Sequence, residues 1–318
     1  MSSRDFVIRP LESVSDLMAC RKIVRRVWES GDVDGVPLDM FIYLIVAMAR
    51  NGGIALGAFA SDELIGFVFG FLGTGVRFGP EAPAAVKLKH HSHMLAVLPE
   101  WRNEGVGYAL KLAQCESARA QGLRLMTWTY DPLESRNALL NIAKLGVVCN
   151  TYYRDYYGEM RDELNTGLPS DRFQVDWYIA SKRVATRLSA RRGRLEREHY
   201  VSAGAVLLNP ATLGADSAWL RPSEGVGELT TDLALVEIPA DFQSFKRADP
   251  SLALAWRLQT REIFEDAFAH DYLVTDFVFE PSSRRGFYVL IRTESSAEAG
   301  ADWSIFADGL ASGERETQ

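Results

Sequence analysis

The sequence predicts a mixed α/β fold: a central mixed sheet flanked by helices, followed by a smaller C-terminal α/β region. Three observations predict it. Short apolar runs alternate with amphipathic helical stretches through the first half of the chain. One such run stops at Pro99 and passes through Gly105 and Gly107 straight into a helical pattern. After a basic stretch, a strand, helix, strand, strand rhythm returns. At 318 residues, 47% apolar and 24% charged, the chain has the composition of an ordinary globular protein with one or two domains.

Each element has a local reason. Phe6 to Arg9 reads as a short strand. Ser13 or Ser15 can cap a helix whose face carries Leu17, Cys20, Ile23, Val24, Val27 and Trp28. Pro37 suits the first position of a second helix ending near Arg50. Ile54–Phe59 and Leu64–Phe71, joined by Ala60-Ser61-Asp62-Glu63, read as a hairpin. Gly73 to Lys87 reads as a loop and His90–Leu98 as a strand. Gly105–Gln121 reads as a helix presenting Val106, Ala109, Leu110, Ala113 and Ser117, with Gly122 as its stop. Leu123–Trp128, Arg136–Leu145, Val147–Tyr153 and Gln174–Ala180 then read as strand, helix, strand and strand.

Residues 1–185 form the expected main domain and 186–205 a basic linker. Ser181 to His199 carries seven Lys and Arg residues and reads as solvated and partly helical. Residues 206–318 give a βαββ pattern, with Asp249 as N-cap and Pro250 as the first residue of its helix. Segments 120–128 and 269–277 share a helix-end-to-strand rhythm. A degenerate copy of the first domain's second half and a chance echo both account for it.

Bulk properties exclude several classes. A net charge of −7 gives no electrostatic support for nucleic-acid binding. The longest apolar run, Met40 to Ala49, is too short for a bilayer, and the N-terminus lacks a signal-peptide core. Cys20, Cys115 and Cys149 are scattered and odd in number, which argues against a disulfide framework or a zinc site. No metal is expected, and a cytoplasmic, reducing location is the default.

The chemistry concentrates in Met94 to Leu110. A strand stops at Pro99, a tight turn offers Arg102-x-x-Gly105-x-Gly107, and a helix begins at once. Glycines there let the backbone curl with its N–H groups inward, a nest at a helix N-terminus that suits a pyrophosphate. The Rossmann fingerprint needs a third glycine and a later acid; a P-loop needs Gly-Lys-Ser/Thr; neither is present.

This segment resembles the acyl-CoA motif of the GNAT (GCN5-related N-acetyltransferase) superfamily, Arg/Gln-x-x-Gly-x-Gly/Ala after a Leu-x-Val strand. Asn137-Ala138 and Leu145-Gly146 echo the family's fourth helix, and the likeness covers residues 5–180. It implies that backbone groups of Leu95 and Val97 pair with the pantetheine arm. It implies too that amides of Asn103, Glu104, Gly105, Val106, Gly107 and Tyr108, with Arg102 shaping the turn, hold the pyrophosphate, and that Asn137 lies near the CoA arm. A backbone N–H of the same strand would polarise the thioester carbonyl.

His91 and His93 are candidate general bases, since side chains two apart in a strand share a face and histidine titrates near neutrality. A hydrogen-bonding or solvent-facing role is the competing reading. Many family members place a tyrosine, the general acid, four residues before the helix-ending glycine; here Ile142 stands there. Tyr130, Tyr152, Tyr153, Tyr156 and Tyr157 are nearby in sequence, with aromatic packing as their alternative role. Asp131 could face an amine or cap a helix, Asp171 and Arg172 could meet a charged substrate or form a local pair, and Glu237 could be functional or a strand-end charge.

The resemblance implies an acyl-CoA-dependent N-acyltransferase that takes acetyl-CoA or succinyl-CoA as co-substrate and acts on a small-molecule amine. The long two-part arrangement also resembles bacterial members found beside N-succinylamino-acid racemases, which makes an amino acid a candidate acceptor. Arg172 or Arg154 would then face the succinyl carboxylate. A non-catalytic CoA-binding sensor or scaffold with the same fold is the alternative. At the echo positions of Gly105 and Gly107 stand Leu254 and Trp256, so one CoA site per chain is expected, with residues 206–318 completing an acceptor pocket or a homodimer interface.

Overall fold

The structure, a computed structural model, describes residues 4–28, 38–75, 81, 83, 87–158, 167–189, 193–214 and 219–293. Pro37, the expected start of the second helix, and the polar tail lie outside the described residues. The chain divides into two compact units: Met1–Trp128 with Arg161–Leu164, and Thr129–Met160 with Asn165–Gln318.

The first unit is built on five strands in the order β1 (Val7–Pro10), β2 (Ile54–Ala60), β3 (Glu63–Thr74), β4 (Leu88–Val97) and β5 (Leu125–Tyr130). β5 begins in this unit, and its last two residues belong to the other. The first four strands are mutually antiparallel and β5 runs parallel to β4. The β2–β3 hairpin turns through Ser61 at φ 49°, a left-handed position. Helix α1 (Val14–Trp28) buries Leu17, Cys20, Ile23 and Val24, four of the six expected face residues, and Ser13 Oγ accepts from Asp16 N at 2.9 Å. Helix α2 (Leu38–Arg50) follows. β3 runs to Thr74, two residues into the stretch expected to be a loop.

Helix α3 (Val106–Ala120) turns a different face inward from the one its apolar residues suggest. Val106, Leu110, Lys111, Gln114, Cys115 and Ala118 are buried, whereas Ala109, Ala113 and Ser117 stay half-exposed. A lysine and a glutamine inside the buried stripe follow no hydropathy rule. Their placement rests on the partners they meet.

In the second unit the strand order is β7 (Arg172–Tyr178), β6 (Val148–Tyr153), β12 (Tyr272–Glu280), β13 (Arg285–Arg292), β11 (Leu233–Pro239) and β8 (Val206–Leu207). Antiparallel pairing joins β6–β7, β6–β12, β12–β13 and β13–β11, while β8 runs parallel to β11. β9 (Thr212–Leu213) and β10 (Leu220–Arg221) form a separate pair. The expected βαββ pattern is present, with a short helix α7 (Phe242–Ala248) before α8 (Pro250–Ala269). Asp249 caps α8 by accepting from Leu252 N at 2.9 Å. The segment expected as one α-helix is α-helical only over Ser135–Ala138, here α4, and π-helical over Leu139–Leu145; it stops at Gly146, φ 77°.

The basic stretch contains α5 (Lys182–Leu188) and leads into α6 (Arg197–Ser202). The expectation of a solvated run fails at Arg183 and Arg187, which donate to Thr275 O, and Arg187 Nη1 also pairs with Asp276 at 2.8 Å. The three cysteines are buried thiols, and none of them forms a disulfide. Among the described residues, no helix is long and apolar enough to cross a membrane.

Candidate functional site

The site is built where β4 meets α3. β4 has a full ladder to β3 on one edge, with Val68 opposite Leu95 and Gly66 opposite Val97. Its ladder to β5 is two residues long, His90–Met126 and His91–Thr127. From Ser92 to Val97, the edge of β4 that faces β5 therefore carries backbone N–H and C=O groups outside that ladder. Such an edge can accept an extended ligand as an added strand. Within the β3 ladder, Phe69 opposes Met94 while Gly70 opposes Ser92, so His93 is the extra residue of a bulge. A bulge bends the strand and re-aims its side chains.

The chain leaves β4 through Leu98 into a single 3-10 turn, Pro99–Trp101, closed by Arg102 N donating to Pro99 O at 3.2 Å. Arg26 of α1 holds the Glu100 carboxylate at 2.8 and 3.2 Å, and Arg4 donates to Glu100 O at 3.1 Å. Asn103 then takes φ 66° and Gly105 φ 83°, both left-handed, and α3 begins at Val106. Glycine adopts that conformation without the side-chain penalty other residues meet. A Cβ placed on Gly105 would find nothing within 4 Å, so the space above the turn is open.

Ala109 N makes the first helical bond, to Gly105 O at 3.0 Å. Among the described residues, the amides of 103–108 have no hydrogen-bond partner. They meet the positive end of the helix dipole at an open turn, an arrangement that fits phosphate oxygens. Arg102 and Asn103 are exposed there, while Gly107 packs against Leu95 and Val97 at 3.6 and 3.9 Å from its would-be Cβ.

His91 and His93 lie together. Their ring centroids are 6.0 Å apart, and both face Phe71, at 5.3 and 5.9 Å. His91 Nδ1 is 3.5 Å from Thr127 Oγ1. Burial, helped by the charges of His93, Lys89 and Lys111, pushes His91 down to about 4, and burial also lowers His93. The expectation that His91 titrates near neutrality therefore fails: at neutral pH it is an uncharged acceptor.

On the α3 side of β4 lies a polar cluster that sequence reading missed. His90 and Ser92 are buried, and Lys111 Nζ donates to Ser92 Oγ at 2.8 Å, which donates to Gln114 Oε1 at 2.7 Å. Nζ also lies 3.4 Å from the centroid of the Trp128 ring. His90 packs on Gly70 so closely that a Cβ there would lie 2.2 Å from Nε2. The available signal was three histidines and a serine in one strand: the alternation that puts His91 and His93 on one face puts His90 and Ser92 on the other.

In the second unit the other candidates are engaged in structure. Asp131 accepts from Leu133 N at 2.9 Å and pairs with Arg257 through Nη1 at 2.8 Å and through Nη2, so it is not left to attract an amine. Asp171 is fully buried and accepts from Arg261 at 2.8 and 2.9 Å and from Tyr152 Oη at 2.6 Å; these bonds outweigh burial and lower its pKa. Arg172 donates to Asp171 O and stacks 5.4 Å over Tyr157, and Arg154 grips Glu265 at 2.6 and 2.5 Å. Tyr130 Oη meets Tyr288 Oη at 3.2 Å, whereas Tyr153, Tyr156 and Tyr157 are exposed and in ring contact. Ile142 is fully buried in the π-helical segment, and Asn137 is exposed on α4. Glu237 is a buried carboxylate, raised by burial, with Ala211 N at 3.0 Å and Arg285 at 2.9 Å. Trp256 is fully buried and Leu254 exposed.

Residues 18–146 match the model of the acetyltransferase (GNAT) family, less than half of the 318-residue chain but including every residue of the β4–α3 site. No curated protein matches the chain. Solved structures similar to it include NAA60 from Arabidopsis thaliana in complex with acetyl-CoA, at 17% identity over 55% of this chain and 99% of that one, TM-score 0.42. Another is the ribosomal-protein-S18-alanine N-acetyltransferase from Escherichia coli, at 14% identity over 60% and 100%, TM-score 0.41. A third is an N-acetyltransferase from Staphylococcus aureus Mu50, at 16% over 55% and 99%, TM-score 0.41.

Proposed function

We propose, from the premise that residues 18–146 form a GNAT acetyltransferase domain, that the protein is an acyl-CoA-dependent N-acyltransferase acting on a small-molecule amine. The observation that carries this reading is the open turn at Gly105, whose amides have no partner among the described residues, set at the end of a strand edge free of β5. The turn would hold the diphosphate of CoA. The β4 edge at Leu95 and Val97 would pair with the pantetheine amides, which brings the thioester toward the His93 bulge. There a strand N–H can polarise the carbonyl, an interaction that strengthens as the oxyanion forms.

His91, uncharged at neutral pH, supplies an acceptor nitrogen beside the exposed His93. A base of this strength orients a neutral amine better than it deprotonates an ammonium. The donor is acetyl-CoA or another short acyl-CoA, succinyl-CoA included, and the acceptor a small amine such as an amino acid.

A non-catalytic CoA-binding role is the second reading, favoured by the buried Ile142 where the family places its acid. Release of free thiol from acetyl-CoA and succinyl-CoA over a panel of amines separates the two. The transferase reading expects turnover with at least one amine, above hydrolysis without one. CoA binding with no turnover across the panel supports the sensor instead.

A further inference from the structure

Lys111 is a lysine with a cost and no counter-charge. It is 2% exposed, and among the described residues no carboxylate lies within ion-pair distance of it. Its surroundings are Ser92, Gln114, Trp128, His90 and Cys115. Burial lowers Lys111 well below the usual lysine range, holds His90 uncharged and pushes Cys115 up to about 11. His91, from the neighbouring strand position, is uncharged at neutral pH as well. Burying an ionisable amine without an anion opposes folding, and a methionine would fill similar space without that cost.

Its position is specific. The β4–β5 ladder ends at His91–Thr127, and the next residue on each strand, Ser92 and Trp128, flanks Nζ at 2.8 and 3.4 Å. The amine thus sits where the two strands part, on the same helix whose N-terminus carries the open turn. Gln114 Nε2 and both ring nitrogens of His90 are buried there without hydrogen-bond partners among the described residues, so the cluster has unused polar capacity.

We propose that Lys111 receives the sulfur of CoA, pairing with its thiolate and carrying the proton that the sulfur must gain. This rests on the acyl-CoA reading above. In the transfer, the acceptor nitrogen attacks the thioester carbon and a C–N bond forms. The C–S bond then breaks and its electron pair goes to sulfur. The nitrogen loses one proton, sulfur gains one from Lys111 Nζ, and the proton given up by the nitrogen restores the lysine. Acyl-CoA and amine become amide and CoA thiol, and Lys111 ends in the protonation state in which it began.

Binding of CoA and of desulfo-CoA to the full chain tests this without an acceptor. The wild type should bind CoA at least about tenfold more tightly than desulfo-CoA, a difference of ~1.4 kcal/mol. It should also show the ultraviolet absorbance of a bound thiolate near neutral pH. Lys111→Met should bind both alike, lose the thiolate band and melt at a higher temperature than the wild type, which shows that it folds. If Lys111→Met keeps both the preference and the band, the lysine is structural and the proposal fails while the CoA site stands. If the wild type binds neither compound, the acyl-CoA reading fails and this one with it.

Discussion

Gly105→Val should weaken CoA binding by about a hundredfold, ~2.7 kcal/mol, while the protein still folds. Gly105 is left-handed at φ 83°, and a side chain there would project into open space rather than into the protein. The strain of a β-branched residue at positive φ is on the order of 1–2 kcal/mol, tolerable for a domain of this size. The loss in binding arises differently. The isopropyl group occupies the volume a diphosphate needs, and relaxation of the backbone turns the amides of 103–108 away from convergence. Gly107→Ala is the internal control. Its methyl would meet Leu95 and Val97 at ordinary contact distance, so its effect should be smaller. Calorimetry of CoA binding, with circular dichroism to confirm folding, checks the pair.

Acidification should destabilise the protein through His90, and His90→Leu should remove most of that effect. His90 is fully buried, and burial lowers it from its ordinary 6.5 to about 3, assisted by Lys111 and His91. A depressed histidine costs nothing above the unfolded pKa, where both states are neutral. As pH falls through about 6.5 toward 3, the unfolded chain takes a proton that the folded chain refuses, and stability drops. A shift of this size corresponds to on the order of 3–5 kcal/mol once the window is crossed. Both ring nitrogens lack partners among the described residues, so leucine, of similar volume, strands no hydrogen bond in His90's absence. Urea unfolding at about pH 7 and about pH 4 should show a much shallower loss in His90→Leu than in the wild type. His91, lowered to about 4, leaves a residual slope in both. Equal pH dependence in the two proteins would mean that His90 is not the titrating group.

Much of this was legible from residue order. The β2–β3 hairpin, β4, the turn at Arg102–Gly107, the Asp249-Pro250 helix start and the C-terminal βαββ pattern all follow from local rules of spacing, capping and glycine freedom. What escaped depends on contacts between residues far apart in sequence. Lys111 and Gln114 belong to the buried stripe of α3 because Ser92 and Trp128 receive them, and a hydropathy pattern assigns that stripe to Ala109 and Ala113 instead. Asp171 and Arg172, adjacent in sequence, reach to distant partners: Asp171 takes Arg261, 90 residues on, and Arg172 lies 3.8 Å from Asp131. Arg187, read as solvated, meets Asp276. The histidines were visible as candidates, but their acid–base behaviour was not, because burial sets it. The bulge at His93 and the π-helical turn before Gly146 leave no mark in an apolar periodicity.

The most direct test of the central claim is titration of the full-length protein with CoA by calorimetry. A diphosphate-holding turn at Asn103–Tyr108 predicts saturable binding of one CoA per chain, competed by acetyl-CoA and abolished by Gly105→Val. No binding, two CoA per chain, or binding that Gly105→Val leaves intact would contradict it.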